Sequence, residues 1–254
     1  MPRTTSLAVE FTEYLVEEGP ETLSSVKVPS RTEIEKSVAQ EFARSVAATP
    51  ALGELVEDLS ASGPVLIFGG FVRDRIHNLA HCAMRTSRDI DLVLCGTLRN
   101  APQRTLRNKF SGYRRRLADD LTVDYWELDQ TYAFRRGIFK ATVKNLPLTT
   151  VYTLNACVFD LLNLRLAEHR AISSIAKRTI SFNCRDYLNK FPKYQAFRAI
   201  DFADRLEYRL DEEVHRFVQN QIRNSKLEEF VDAVQSHRRE ITKKVLREMF
   251  ERYS

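Results

Sequence analysis

A chain of 254 residues that is 43% apolar and 29% charged can bury a sizeable core, which excludes an intrinsically disordered protein. Lys and Arg outnumber Asp and Glu by 39 to 34, a formal charge of +5 that favours a polyanionic partner over an acidic or membrane one. No stretch approaches the ~18 consecutive apolar residues of a bilayer span, and the N-terminus lacks the marks of a signal peptide, so a cytoplasmic chain is expected.

Residues 1–60 read as an N-terminal helical extension. Ser30-Arg31-Thr32-Glu33 has capping-box spacing, and Ile34, Val38, Phe42 and Val46 then recur every four residues. A second short helix is expected next, capped by Thr49 with Pro50 in its first turn and an apolar face of Leu52, Leu55, Val56 and Leu59. At Pro64 the period changes. Val65-Leu66-Ile67-Phe68 reads as a strand, Gly69-Gly70 as a turn, and Phe71 to about Leu79 as a helix. Strands are expected again at Ile90–Leu94 and Leu121–Leu128, where β-branched and aromatic residues gather. Between them, Arg104, Arg107, Lys109 and Arg114 to Arg116 form a basic cluster that suits either a polyanion or a solvated loop. Beyond residue 185 the apolar positions take helical spacing, as at Phe197, Ile200, Ala203 and Leu206, and then Val214, Phe217, Val218 and Ile222. The expected architecture is a mixed α/β core over 61–185 and an all-helical C-terminal domain over 186–254. The four cysteines, Cys82, Cys95, Cys157 and Cys184, are widely spaced and are expected to be reduced.

The chemistry concentrates between Phe68 and Asp91. In a strand, residues two apart share a face, so Asp89 and Asp91 can aim at one point and hold magnesium through hard oxygen ligands. A strand that ends in Gly69-Gly70 and opens a helix lets backbone N–H groups approach a triphosphate, with Arg73 one turn further on to add charge. A third carboxylate is expected from the neighbouring strand, where Asp124 is chosen over Glu127. His77, His81 and Cys82 have helical spacing but lack a fourth ligand, and are not read as a zinc site. Tyr125, Trp126, Tyr132 and Phe134 could stack a base, although aromatic strand residues more often belong to the core. Arg198 and Arg205, seven apart on one helix face, could reach a nucleotide or form surface ion pairs.

Phe68-Gly69-Gly70-Phe71-Val72-Arg73-Asp74 followed by Asp89-Ile90-Asp91 resembles the GG-x-V-R-D and D-x-D pattern of tRNA CCA-adding enzymes and bacterial poly(A) polymerases. Thr153-Leu154-Asn155-Ala156 is similar to that family's T-I-N-A segment, and the helix from Phe197 to Tyr208 is similar to the start of its neck. The resemblance spans residues 60–225 and implies a polymerase-β-like nucleotidyltransferase head, a short mixed sheet flanked by helices. It implies catalytic and metal-binding roles for Asp89, Asp91 and Asp124. It also implies triphosphate contacts for Gly69, Gly70 and Arg73, a ribose or phosphate contact for Asp74, and nucleotide contacts for Arg88, Asn155, Arg198 and Arg205. Two segments depart from the pattern. Thr149-Thr150-Val151 stands where the family has R-R-D, and Phe191-Pro192-Lys193-Tyr194-Gln195 stands where it has E-D-x-x-R, so ordered addition of C then A is not expected.

The implied reaction moves a nucleoside monophosphate from a nucleoside triphosphate (NTP) to a hydroxyl with release of pyrophosphate, using two magnesium ions or manganese. The expected acceptor is an RNA 3′ end, particularly of tRNA. The alternatives are a toxin-type or regulatory transferase acting on a protein side chain or small molecule, with a cognate antitoxin as partner, and a non-catalytic nucleotide-binding partner or antitoxin.

Overall fold

The computed structural model describes residues 28–87, 89–98, 105–108, 111–186, 188 and 190–254. The candidate contact Arg88, and Arg104 and Lys109 of the basic cluster, lie outside the described residues.

Helix α1 (Arg31–Ala48) opens on the expected capping box: the Ser30 hydroxyl accepts from Glu33 N, and the Glu33 carboxylate accepts from Ser30 N at 2.8 Å. Helix α2 (Pro50–Ser60) has Pro50 in its first turn, but Thr49 makes no side-chain cap. Thr49 already closes α1, its N–H bonded to Ser45 O, and Pro50 has no N–H of its own needing a partner.

The buried strand β1 (Val65–Phe68) runs into α3 (Gly70–His81), and β2 (Asp89–Leu94) returns beside it. Strands β3 (Leu106–Arg107) and β4 (Tyr113–Arg116) precede β5 (Thr122–Glu127) and the single-turn α4 (Tyr132–Arg135). Then come β6 (Cys157–Asp160), β7 (Arg165–Glu168), α5 (Ala171–Ala176) and β8 (Thr179–Ile180). Seven strands form one sheet in the order β3-β4-β5-β2-β1-β6-β7, with β2 and β5 parallel and the other neighbours antiparallel. Helix α3 packs against β1, β2, β6, α1 and α5.

Helix α1 is fastened to β7 by two charged side chains. Arg31 Nη1 donates to Leu166 O at 2.6 Å, and Leu166 N donates to Glu35 Oε1 at 2.9 Å, so both main-chain groups of a buried residue are satisfied by one helix. We predict that Glu35→Ala lowers stability by about 1–3 kcal/mol, because the Leu166 N–H is then buried without an acceptor. Urea titration checks this, and an unchanged midpoint would refute it.

The C-terminal part is helical as expected, with α6 (Pro192–Leu206), α7 (Glu212–Arg223), α8 (Leu227–Gln235) and α9 (Lys243–Tyr253), but a two-residue strand interrupts it. Glu207, left-handed at φ 57°, ends α6 and turns the chain so that β9 (Arg209–Leu210) runs parallel to β8. Two residues are too few to leave a period in the sequence. Buried apolar side chains form one connected cluster from Ile34 in α1 to Met249 in α9. Among the described residues no helix is long and apolar enough to cross a membrane.

Candidate active site

The turn after β1 carries the first requirement. Gly69 has φ +68° and ψ −111°, a conformation that strains any residue with a Cβ, and its N–H bonds Cys157 O at 2.9 Å. Gly70 is different. A Cβ there would lie 3.7 Å from Arg73 Nη2, an ordinary contact, so the fold itself does not demand glycine at 70. The space it leaves opens on a cavity of about 390 Å³, which both glycines line. The first turn of α3 turns unbonded backbone N–H groups toward an incoming anion.

Arg73 lines the same cavity and is held from two sides. Its Nε and Nη2 donate to Asp74 Oδ1 at 2.9 and 2.8 Å, and its Nη1 donates to Asn155 Oδ1 at 2.9 Å. Asp74 also accepts from Ser87 Oγ at 2.6 Å on its other oxygen. Burial alone would raise the Asp74 carboxyl, but Arg73, the Ser87 hydroxyl and Arg75 outweigh it and hold the group below the usual carboxylate range. Asp74 is not among the residues that line the cavity; its Oδ1 orients Arg73 and its Oδ2 is held by the Ser87 hydroxyl. Asn155 plays a similar part while also facing the cavity.

The acids meet this cradle through strand register. Asp91 lies opposite Phe68, the residue before Gly69, and opposite Asp124 on its other side. Phe68, Asp91, Val93 and Trp126 share one face of the sheet and line the cavity. Asp89 sits exposed at the start of β2, two residues from Asp91 and therefore on the same face, at the rim. Burial, then the charges of Asp124 and Asp89, push the half-buried Asp91 carboxyl up to about 7, with Arg198 and Arg114 opposing.

Asp124 lies beside Asp91 as expected, but its oxygens are taken. Strand β4 places Arg114 opposite it, with Nε to Oδ1 at 2.9 Å and Nη2 to Oδ2 at 2.5 Å, and Asn108 Nδ2 adds a contact to Oδ1 at 3.3 Å. Among the described residues no three of His, Cys, Asp and Glu gather to hold a metal. Asp89 and Asp91 fit magnesium, which is commonly bound through one or two carboxylates with waters and substrate phosphates, and Asp124 stands beside them paired with Arg114. Glu127, on the other face, accepts from Leu98 N at 2.7 Å and is structural.

The opposite wall is helix α6, whose N-cap Phe191 and residues Gln195, Arg198 and Phe202 form one helical stripe into the cavity. Arg198 therefore reaches the site. Arg205 does not line it: one turn beyond, its guanidinium pairs with Asp201 at 3.0 Å, the surface ion pair that was the alternative reading. Tyr125 and Phe134 are buried in the core, whereas Trp126 and Tyr132 are half-buried and line the cavity. Lys190 and Gln195 also line it and were not among the expected contacts. Gln195 shares the helical face of Arg198, three positions on, but a single polar residue at that spacing does not announce its burial. His77 Nδ1 bonds the Tyr208 hydroxyl at 2.7 Å and His81 Nε2 bonds Ile175 O at 2.8 Å. Burial, with Arg85 and His81, lowers the His77 imidazole to about 4. All four cysteines are free thiols.

Solved structures of similar fold are known. The Thermotoga maritima CCA-adding enzyme complexed with tRNA superposes with a TM-score of 0.51 at 19% identity, over 75% of this chain and 46% of that one. The fold is that of the CCA-adding enzymes. An apo CCA-adding enzyme gives a TM-score of 0.56 at 18% identity over 82% of this chain and 53% of that one. A tRNA nucleotidyltransferase complexed with a primer tRNA and an incoming ATP analogue gives 0.51 at 15%, over 75% and 57%. The chain thus spans about half the length of these CCA-adding-type structures. No family model matches the sequence, and no curated protein does.

Proposed function

We propose that the protein transfers a nucleoside monophosphate from an NTP to a hydroxyl acceptor, releasing pyrophosphate. The observation that carries this reading is the register of β1 and β2: Asp91 stands opposite Phe68, so a carboxylate and the Gly69-Gly70 turn share one cavity wall. In this reading residues 61–185 are the nucleotide-holding head and 186–254 a neck-like unit.

Arg73, fixed by Asp74 and Asn155, binds the triphosphate beside the N-terminus of α3, and its rigidity spares the ordering that a free arginine would need on binding. Arg198 faces the cavity from α6 and adds positive charge along the nucleotide. Asp89 and Asp91 would hold magnesium or manganese, and when bound the metal would neutralise charge on the phosphates and lower the pKa of the attacking hydroxyl. Arg114 holds Asp124 in an ion pair beside those two acids.

An RNA 3′ end, particularly of tRNA, is the proposed acceptor. The formal charge of +5 suits a polyanion, and solved structures of this fold include complexes with tRNA and with an ATP analogue. The test is to incubate the purified protein with each labelled triphosphate, magnesium and either total RNA or cell lysate. Label is expected in RNA. Label in protein would redirect the acceptor, and label in neither would refute the transferase.

A further inference from the structure

Helix α3 carries a second polar cluster, one turn beyond Arg73, and none of its members lines the nucleotide cavity. His77 and His81 lie four apart on one helix face, their ring centroids 4.9 Å from each other. Each imidazole holds an arginine brought from another part of the chain. Arg85 Nε donates to His77 Nε2 at 3.2 Å, and Arg178 Nε donates to His81 Nδ1 at 3.3 Å. A guanidinium only donates, so these two ring nitrogens are unprotonated and both histidines are neutral.

The tautomers then leave one donor over. His77 carries its proton on Nδ1 and donates it to Tyr208 Oη at 2.7 Å, while His81 donates from Nε2 to Ile175 O at 2.8 Å. Tyr208 is 5% exposed, and its own hydroxyl proton has no acceptor among the described residues. Buried hydroxyls are seldom left so. The arginines are in the same position. Arg85 sends Nη2 to Arg205 O, but its Nη1 and both terminal nitrogens of Arg178 have no acceptor among the described residues. Neither arginine is ion-paired there, and Asp74, whose charge reaches His77, is already matched by Arg73 and Ser87.

The backbone at Arg178 adds an independent observation. It is left-handed at φ 49°, where glycine or asparagine is less strained than arginine. Its main chain is tied on both sides, the N–H to Ile175 O at 3.0 Å and the carbonyl to Arg209 N at 2.9 Å. The turn itself does not call for a long cation.

We propose that Arg85, Arg178 and the Tyr208 hydroxyl form a second oxyanion site, which takes a phosphate group. The two guanidiniums supply charge and forked donors suited to phosphate oxygens, and the tyrosine supplies a neutral donor. Donors arriving from three separate segments suit the tetrahedral oxygens of phosphate better than a planar carboxylate. The source is a phosphodiester of a bound RNA strand or free phosphate, and recognition is the same for both. The site stands independently of the NTP-binding reading.

The test follows the ring protons of His77 and His81 by NMR in the full chain as sodium phosphate is added in chelator at constant ionic strength. Saturable shifts of both rings are expected, and sodium chloride should not produce them. Arg178→Asn suits the left-handed backbone, so it should melt no lower than wild type, weaken phosphate about tenfold and leave ATP affinity unchanged. Arg85→Gln should weaken phosphate to a similar degree. Short single-stranded RNA distinguishes the sources: RNA that reproduces the shifts and displaces phosphate assigns the site to a backbone phosphodiester, and RNA that does neither assigns it to free phosphate. Rings that respond to neither ligand would overturn the proposal, as would wild-type phosphate affinity in either variant. A chain that fails to bind ATP would overturn the NTP reading alone.

Discussion

Replacing Asp91 by Asn should do two opposite things: lower nucleotidyl transfer at least about a hundredfold and raise the melting temperature. The loss follows from removing the carboxylate that faces both the glycine turn and Asp89. The gain follows from the crowding of charge, since burial and the charges of Asp124 and Asp89 push the Asp91 carboxyl up to about 7. A carboxyl raised in this way favours its neutral form, so it destabilises the fold only where the unfolded chain would be ionised. That cost is absent below the ordinary carboxylate range, grows as pH rises, and is complete above about 7. Solvent reaches a half-buried group and trims the effect, which leaves a stabilisation of about 1–2 kcal/mol for Asp91→Asn at pH 8 in chelator, fading toward acid. Thermal melts at pH 8 and pH 5 check the sign; a variant that melts lower at pH 8 would refute the crowding of charge. Adding Asp89→Asn should abolish transfer while the chain still folds, and transfer surviving in that double variant would refute the metal assignment.

Arg73→Met is expected to be severe in both respects. It removes the charged donor of the cradle, a loss of about ten- to a hundredfold in ATP affinity, and strands the Asp74 carboxylate in the interior at a cost of about 3–5 kcal/mol. Combining it with Asp74→Leu separates the two effects. The double variant should regain most of the stability, because no buried charge is left unpaired, yet bind ATP as weakly as Arg73→Met alone. Recovery of ATP binding in the double variant would show that Arg73 only supports the fold.

The parts legible in the sequence were those with a period or a rigid local rule. The unbroken apolar run of Val65 to Phe68, the Gly69-Gly70 turn and the Asp89-Ile90-Asp91 pair marked a strand, turn and acid face, and β1 and β2 set them side by side. The capping box at Ser30 needed only four residues to be read. What stayed hidden depended on partners distant in the chain. Asp124 was placed beside Asp91 by spacing, but nothing local announced that β4 would lay Arg114 across it, since Arg114 to Arg116 read as part of a basic cluster suited to a polyanion or a solvated loop. Asp74 and Arg73 are adjacent in sequence, and only Ser87 and Asn155 reveal that one orients the other. The cavity wall on α6 carried the weakest signal, because Gln195 lines it while buried, and burial of one amide has no pattern.

The helix at the start of the described chain has a consequence beyond its own stability. A β-strand at the margin of a sheet offers a ladder of free amides to any passing strand, and such margins seed self-association. Here Arg31 and Glu35 occupy the outward amide and carbonyl of Leu166, so that margin has no template left to offer at this point. The opposite margin is β3, only two residues long. Among the described residues the seven-stranded sheet thus ends in a helix-capped strand on one side and a two-residue strand on the other, so neither margin presents a long template for edge-to-edge pairing.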